Sequence, residues 1–258
     1  MTFRAVKILG EVALVAAEDT RTTRKLLNRY NIKVRMMSLN DHNLQKNTPA
    51  ILEILKNDDV ALVSEAGTPS ISDPGSTLVA VVRNAGYNIV PLPGASAVTT
   101  ALSASGLSGQ SFLFLGFLPR GNKDRRTFLE DAASSRHTLV IYESPRRILH
   151  TLEELIDILG DRQIAVGREL TKIHEEIFSG SMSQALLHLT NPRGEFTLVI
   201  NGRDSTPVEP NDLNISKELL RLRADGARAK DAVAEVSFAM NLPKNYVYKR
   251  WLKLNEIG

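Results

Sequence analysis

With 258 residues, 43% of them apolar and 24% charged, the chain can bury a full core and is long enough for two compact domains. It has no Cys, which excludes disulfides, thiolate metal sites and a Cys nucleophile and suits a reducing cytoplasm. No apolar run approaches the roughly 20 residues that span a bilayer. The five His show no ligand spacing, which argues against a metal site. A net charge of +3 permits a polyanionic partner without demanding one.

The first block, residues 1–106, alternates strand and helix. Strands are expected near 12–16, 34–39, 60–63 and 88–92, and helices near 21–30, 49–56, 76–85 and 96–104. Alternation of this kind predicts a mostly parallel sheet covered by helices. The turn-rich segment Gly106-Leu107-Ser108-Gly109-Gln110 then opens a second α/β block, 107–205. Its strands are expected at 112–117, 138–142, 163–166 and 196–200, with a strand and turn within 173–183. Its helices are expected at 125–133, 145–159 and 184–189. A polar linker, 203–214, holds Pro207 and Pro210. The remainder, within 206–258, reads as three helices (216–223, 229–240 and 245–254), the last two joined by the turn Asn241-Leu242-Pro243-Lys244.

The strand at 60–63 runs into Ser64-Glu65-Ala66-Gly67-Thr68-Pro69-Ser70-Ile71-Ser72-Asp73-Pro74-Gly75, and the next into Pro91-Leu92-Pro93-Gly94-Ala95-Ser96-Ala97. Loops of small residues beyond the carboxyl ends of strands place bare backbone and hydroxyls where open α/β sheets bind ligands. Other strand ends carry charge. Glu18-Asp19-Thr20-Arg21 follows the first strand, Asn40-Asp41-His42-Asn43 the next, and Tyr142-Glu143-Ser144-Pro145-Arg146-Arg147 opens a helix in the second block. Asp19 or Thr20 suits a helix cap, and His42 suits proton transfer near pH 7 or a plain loop. Arg120, Lys123, Arg125 and Arg126 form a basic stretch after the strand at 112–117. Positive charge beside the Gly/Ser loops suggests an anionic substrate next to a small cofactor. No phosphate loop, dinucleotide Gly-x-Gly-x-x-Gly or Gly-x-Ser-x-Gly is present, which removes most support for kinase, dehydrogenase and α/β-hydrolase readings.

Taken in order, Ala17–Arg21, Asp41–Asn43, Ser64–Gly75, Pro91–Ala97, Gly116–Pro119, Tyr142–Arg146 and Arg168–Lys172 resemble a family within the tetrapyrrole methylase superfamily. These are the bacterial small-subunit (16S) ribosomal RNA methyltransferases that act on the 2′-hydroxyl of a decoding-centre cytidine. The resemblance implies two α/β domains of tetrapyrrole methylase type with a small helical C-terminal extension. It also implies S-adenosylmethionine in the cleft, a homodimer, a cytoplasmic location, 16S rRNA as partner, and neither membrane nor DNA. Thr68, Pro69, Ile71, Ser96, Ala97 and Tyr142 are then expected at the cofactor. Glu18, Asp19, His42 and Glu143 are the candidates for proton transfer, and Arg21, Arg120, Arg146 and Arg147 for RNA phosphates. The basic residues Lys244, Lys249, Arg250 and Lys253 are candidates for extending that RNA surface. Gly67-Thr68-Pro69 stands where the wider superfamily often has Gly-Asp-Pro, which favours the RNA branch.

The resemblance further implies a strand and Gly loop ahead of Met1, so that the first sheet as written lacks a central strand. The expectation is lower stability or weaker cofactor binding than in an upstream-extended chain. Two other functions fit the residues: methylation of a tetrapyrrole or other small molecule, and non-catalytic binding of RNA or the ribosome.

Overall fold

Four consecutive small or branched apolar residues, Leu14-Val15-Ala16-Ala17, are entirely without solvent access and form the centre of the first sheet. A run of that kind fits a parallel strand covered on both faces. In the computed structural model, which describes residues 1–203, 212–239 and 244–255, this strand is β1. It lies between β2 (Arg35–Ser38) and β3 (Val60–Val63), both parallel to it. Side chains alternate across β1. Leu14 and Ala16 face α3 (Leu44–Ile54) and α4 (Ser76–Asn84), while Val15 and Ala17 face α1 (Phe3–Glu11) and α2 (Thr20–Arg29).

The second sheet has the order β4 (Phe112–Phe117), β5 (Thr138–Glu143), β8 (Phe196–Ile200), β6 (Gln163–Arg168), β7 (Glu176–Ser181). Only β4 and β5 run parallel; the other neighbours are antiparallel. Leu139, Ile141, Leu198 and Ile200 project to one face, where α6 (Asn122–Ala133), α7 (Ile148–Leu159) and α8 (Met182–His188) cover them. Val140, Ala165 and Val199 project to the other and pack on α5 (Ala97–Ala104). Helix α5 therefore covers the second sheet, although it precedes that sheet's first strand in the chain.

The chain divides into two compact units, Met1–Arg203 and Asp204–Gly258. In the second unit, α9 (Asp212–Ala224), α10 (Ala229–Ala239) and α11 (Lys244–Asn255) pack around Leu219, Val236, Val247 and Trp251. The polar linker's Pro207 and Pro210 and the turn at 241–243 lie outside the described residues.

Three expectations change. Residues 88–92 form no strand. Ile89 and Val90 are exposed, and the outer edge of β3 has no ladder partner among the described residues. An apolar run of strand composition becomes a strand only where a neighbour takes up its backbone groups. Helix α3 starts at Leu44, so Pro49 lies inside it rather than at its head. Helix α7 starts at Ile148, because Ser144–Arg147 form a turn in which the Ser144 carbonyl accepts from the N–H groups of Arg147 and Ile148.

The ion pair between Arg125 of α6 and Glu154 of α7 is nearly dry, with Arg125 Nε 2.6 Å from Glu154 Oε2. Removing one partner leaves the other charge buried and uncompensated. Glu154→Ala is expected to lower folding stability by about 3–5 kcal/mol in urea melts.

Candidate active site

The carboxyl ends of β1, β3, β4 and β5 and the start of α5 are drawn together by two loops. After β3, the Ser64–Gly75 loop holds Ser70 at φ +70° and Ser72 at φ +61°, both in the left-handed region. Such backbone costs energy and persists where its surroundings hold it. Gly75, at φ +132°, lets the loop fold back on its own strand. A Cβ there would meet Leu62 Cδ2 at 2.8 Å and Ser70 Oγ at 3.0 Å. The second sheet meets the same loop at Gly116, which has φ +64° and sits at a register shift in β4. A Cβ at Gly116 would lie 3.0 Å from Ser72 Oγ, so only glycine gives the loop full room.

The second loop, 91–96, reaches the first where a Cβ on Gly67 would lie 3.9 Å from the Ala95 carbonyl. Ser96 and Ala97 then open α5, and the Tyr142 hydroxyl accepts a hydrogen bond from the Val98 N–H two residues later. The Tyr142 ring is edge-on to Phe114 with centroids 5.0 Å apart, and tilted against Phe117 at 5.5 Å. Thus Gly67-Thr68-Pro69, Ser96-Ala97 and Tyr142 share one neighbourhood. Phe117, exposed beside Tyr142, adds an aromatic face that the sequence reading missed, because it ends a strand that reads as uniformly apolar.

Carboxylates gather at this point. Burial raises the pKa of Glu18, and the nearby Asp73, Glu65 and Asp41 raise it further, while the Glu65 N–H opposes the shift. Asp73 is pushed up by burial first, and Glu65 adds to that, while the adjacent Ser64 hydroxyl pulls the other way. Burial also raises Tyr142, and Asp73 adds to that.

The other candidates have local partners. Asp19 caps α2 by accepting from the Arg21 N–H at 2.7 Å, and binds the Arg21 guanidinium at 3.1 Å, which holds its carboxyl below the ordinary range. Glu143 is buried, and its carboxylate accepts from the Ser144 N–H at 2.7 Å and the Thr151 hydroxyl at 2.8 Å. Arg147 lies 3.3 Å from Glu143 and donates to the Leu118 carbonyl at 2.9 Å, tying the ends of β4 and β5 together. Proton transfer through Glu143 would cost this network, and Arg147 and Arg21 are engaged rather than free for phosphate. His42 is exposed in the turn after β2, its backbone N–H bound to Asn40. Arg120 and Arg146 are exposed, each three residues past the end of one of two adjacent parallel strands.

The profile of the tetrapyrrole (corrin/porphyrin) methylases matches residues 1–186. The chain belongs to that family. This methylase is also 41% identical over 256 residues to the Ribosomal RNA small subunit methyltransferase I of Bacillus subtilis, covering 96% of this chain and 88% of that protein. The protein of that name from Thermotoga maritima is 45% identical over 207 residues, 79% of this chain and 93% of its own length. Among solved structures, the methyltransferase CobJ superposes with a TM-score of 0.61 at 18% identity, covering 81% of this chain and 91% of its own. Diphthine synthase gives 0.61 at 15%, with 78% and 84% covered. At such identities these two show the shared fold alone.

As a tetrapyrrole methylase the chain draws its methyl group from S-adenosylmethionine. The site suits that donor, because glycine-bearing loops leave backbone accessible and a set of carboxylates suits a sulfonium cation. The raised pKa of Glu18 carries a stability cost. Its folded form holds a proton above the unfolded group's pKa, so stability falls as pH rises through that window and stays lower beyond it. Glu18→Gln is expected to melt above the parent at pH ~8, with the gap closing toward pH ~4, followed by circular dichroism.

Proposed function

We propose that this methylase transfers the methyl group of S-adenosylmethionine to the 2′-hydroxyl of a cytidine in 16S ribosomal RNA, at the decoding centre of the small subunit. The observation that carries the reading is the identity of about 40% along nearly the whole chain to proteins named Ribosomal RNA small subunit methyltransferase I. The ordered strand-end motifs that resemble the cytidine 2′-O-methyltransferases support a cytidine ribose as the acceptor.

Thr68, Pro69, Ile71, Ser96, Ala97 and Tyr142 are the residues that would hold the donor. When bound, its sulfonium supplies an electrophilic methyl group. The protein contributes position and a proton acceptor: the acceptor hydroxyl must lie in line with the methyl, and its proton must leave as the new bond forms. Of the four candidates named from the sequence, Glu18 is the one that stands beside the loops, next to Asp73 and Glu65. Arg120 and Arg146 are cations suited to RNA phosphates on either side of the reacting nucleotide. A homodimer is part of the proposal, supported by Phe112 and Leu113, which stand exposed on the outermost strand of the second sheet.

The test is transfer of labelled methyl to small ribosomal subunits lacking the native modification, followed by nucleoside chromatography. Label in 2′-O-methylcytidine is the expected result; label confined to bases, or none, would overturn the reading. In the same assay Arg120→Glu with Arg146→Glu is expected to raise KM for subunits about tenfold or more, while calorimetric affinity for S-adenosylmethionine is unchanged.

A further inference from the structure

The donor loop carries a carboxylate that the sequence motifs leave without a role. We propose that Asp73 is the catalytic base: its carboxylate receives the proton of the acceptor hydroxyl. The inference rests on the 2′-O-methyltransferase reading above and names the group that reading requires.

Placement is the first reason. Asp73 sits where both sheets of the first unit meet. The next residue back, Ser72, fills the space against Gly116 of β4, and Gly75 two residues on is packed against Leu62 of β3. Asp73 is thereby fixed from both sides, and its surroundings combine Ser64 and Glu65 after β3, Glu18 after β1 and Tyr142 of β5.

Chemical availability is the second. Glu143 is enclosed and fully engaged by Ser144, Thr151 and Arg147, and Asp19 is spent on the α2 cap and Arg21. Asp73 makes no ion pair among the described residues, and the Ser64 hydroxyl beside it donates to the Ala66 carbonyl at 3.1 Å, so acceptor capacity on the Asp73 carboxylate stays open. The groups facing it are Glu18, Glu65 and Tyr142; Asp41 faces Glu18 in turn, and Arg21 is the nearby cation, on the Glu65 side. Burial and like charge both favour the protonated form, which makes the ionised Asp73 a stronger base than a solvated carboxylate.

The step balances without a further reactant. The hydroxyl O–H bond breaks and its proton passes to an Asp73 carboxylate oxygen. The oxygen forms the new bond to carbon with its own electron pair. The C–S bond breaks with its pair remaining on sulfur, cancelling the sulfonium charge. Asp73 then returns its proton to water.

The test compares wild type, Asp73→Asn, Asp73→Glu and Glu18→Gln in single-turnover methyl transfer to small subunits from about pH 5.5 to 9. Donor affinity is measured by calorimetry. Asn is isosteric and leaves the Ser64–Ala66 hydrogen bond of the loop in place. The expected result is a methyl-transfer rate about 10²–10⁴-fold lower in Asp73→Asn, with S-adenosylmethionine affinity within about threefold of wild type. The acid limb of the wild-type profile should disappear in Asp73→Asn, and Asp73→Glu should recover part of the rate with a displaced limb. A near-wild-type rate in Asp73→Asn, a loss of donor affinity that accounts for the lower rate, or a limb abolished by Glu18→Gln instead would overturn the assignment. Failure of wild type itself to methylate RNA would overturn the functional reading and the base together, and only that result does so.

Discussion

The close approach of Ser72 to Gly116 is the constraint on which the rest of the site depends. Two sheets of different construction, one of three parallel strands and one mixed, are brought into register at their carboxyl ends through this contact. Three features have to coincide for it. The loop after β3 must turn through left-handed backbone at Ser70 and Ser72, β4 must shift register at Gly116, and the facing position must carry no side chain. Each is locally unfavourable. Their coincidence is sustained by buried apolar packing on both faces of each sheet, which over-determines where the strand ends lie.

Helix α5 is the second element of that arrangement. It follows the first sheet in the chain but packs on β8 and β6 of the second, so its first turn stands beside Tyr142. The Val98 N–H given to the Tyr142 hydroxyl is one of the unpaired donors of a helix start. The start of α5, the Tyr142 ring and the loop carrying Ser96 and Ala97 thus meet at one point. The same economy appears at Glu143, where one buried carboxylate organises the turn into α7 and, through Arg147, the loop after β4.

Much of this was legible in the sequence. The short, nearly continuous apolar runs of β1, β5 and β8 announce strands directly, and small-residue loops after strands mark where a ligand belongs. What stayed hidden depends on partners distant in sequence. Residues 88–92 have strand composition, yet composition does not state whether a neighbouring strand is there. Glu143 and Arg147 read as site residues because they follow a strand; their mutual engagement appears only once Thr151 and Leu118 are placed around them. Asp73 was in plain view within a motif of turn formers, where an Asp before Pro-Gly is read as a turn residue. Its proximity to Glu18, more than fifty residues away, is a property of the fold alone.

The distribution of charge across the site has a direction that no single residue shows. Glu18, Glu65 and Asp73 stand together around the loops, while the free guanidiniums of Arg120 and Arg146 stand past the ends of β4 and β5. A carboxylate cluster repels phosphate and attracts a cation; exposed arginines do the reverse. A polyanion approaching this surface is therefore favoured with its backbone on the arginines, and a cationic donor is favoured among the acids. The raised proton affinities follow from the same crowding, since like charges sharing a partly dry site cannot all ionise at their ordinary pH. The feature that makes the cluster unfavourable for stability is thus the one that raises the proton affinity of its carboxylates. Relief of that repulsion by a cation is the physical reason that a positively charged group suits this cluster.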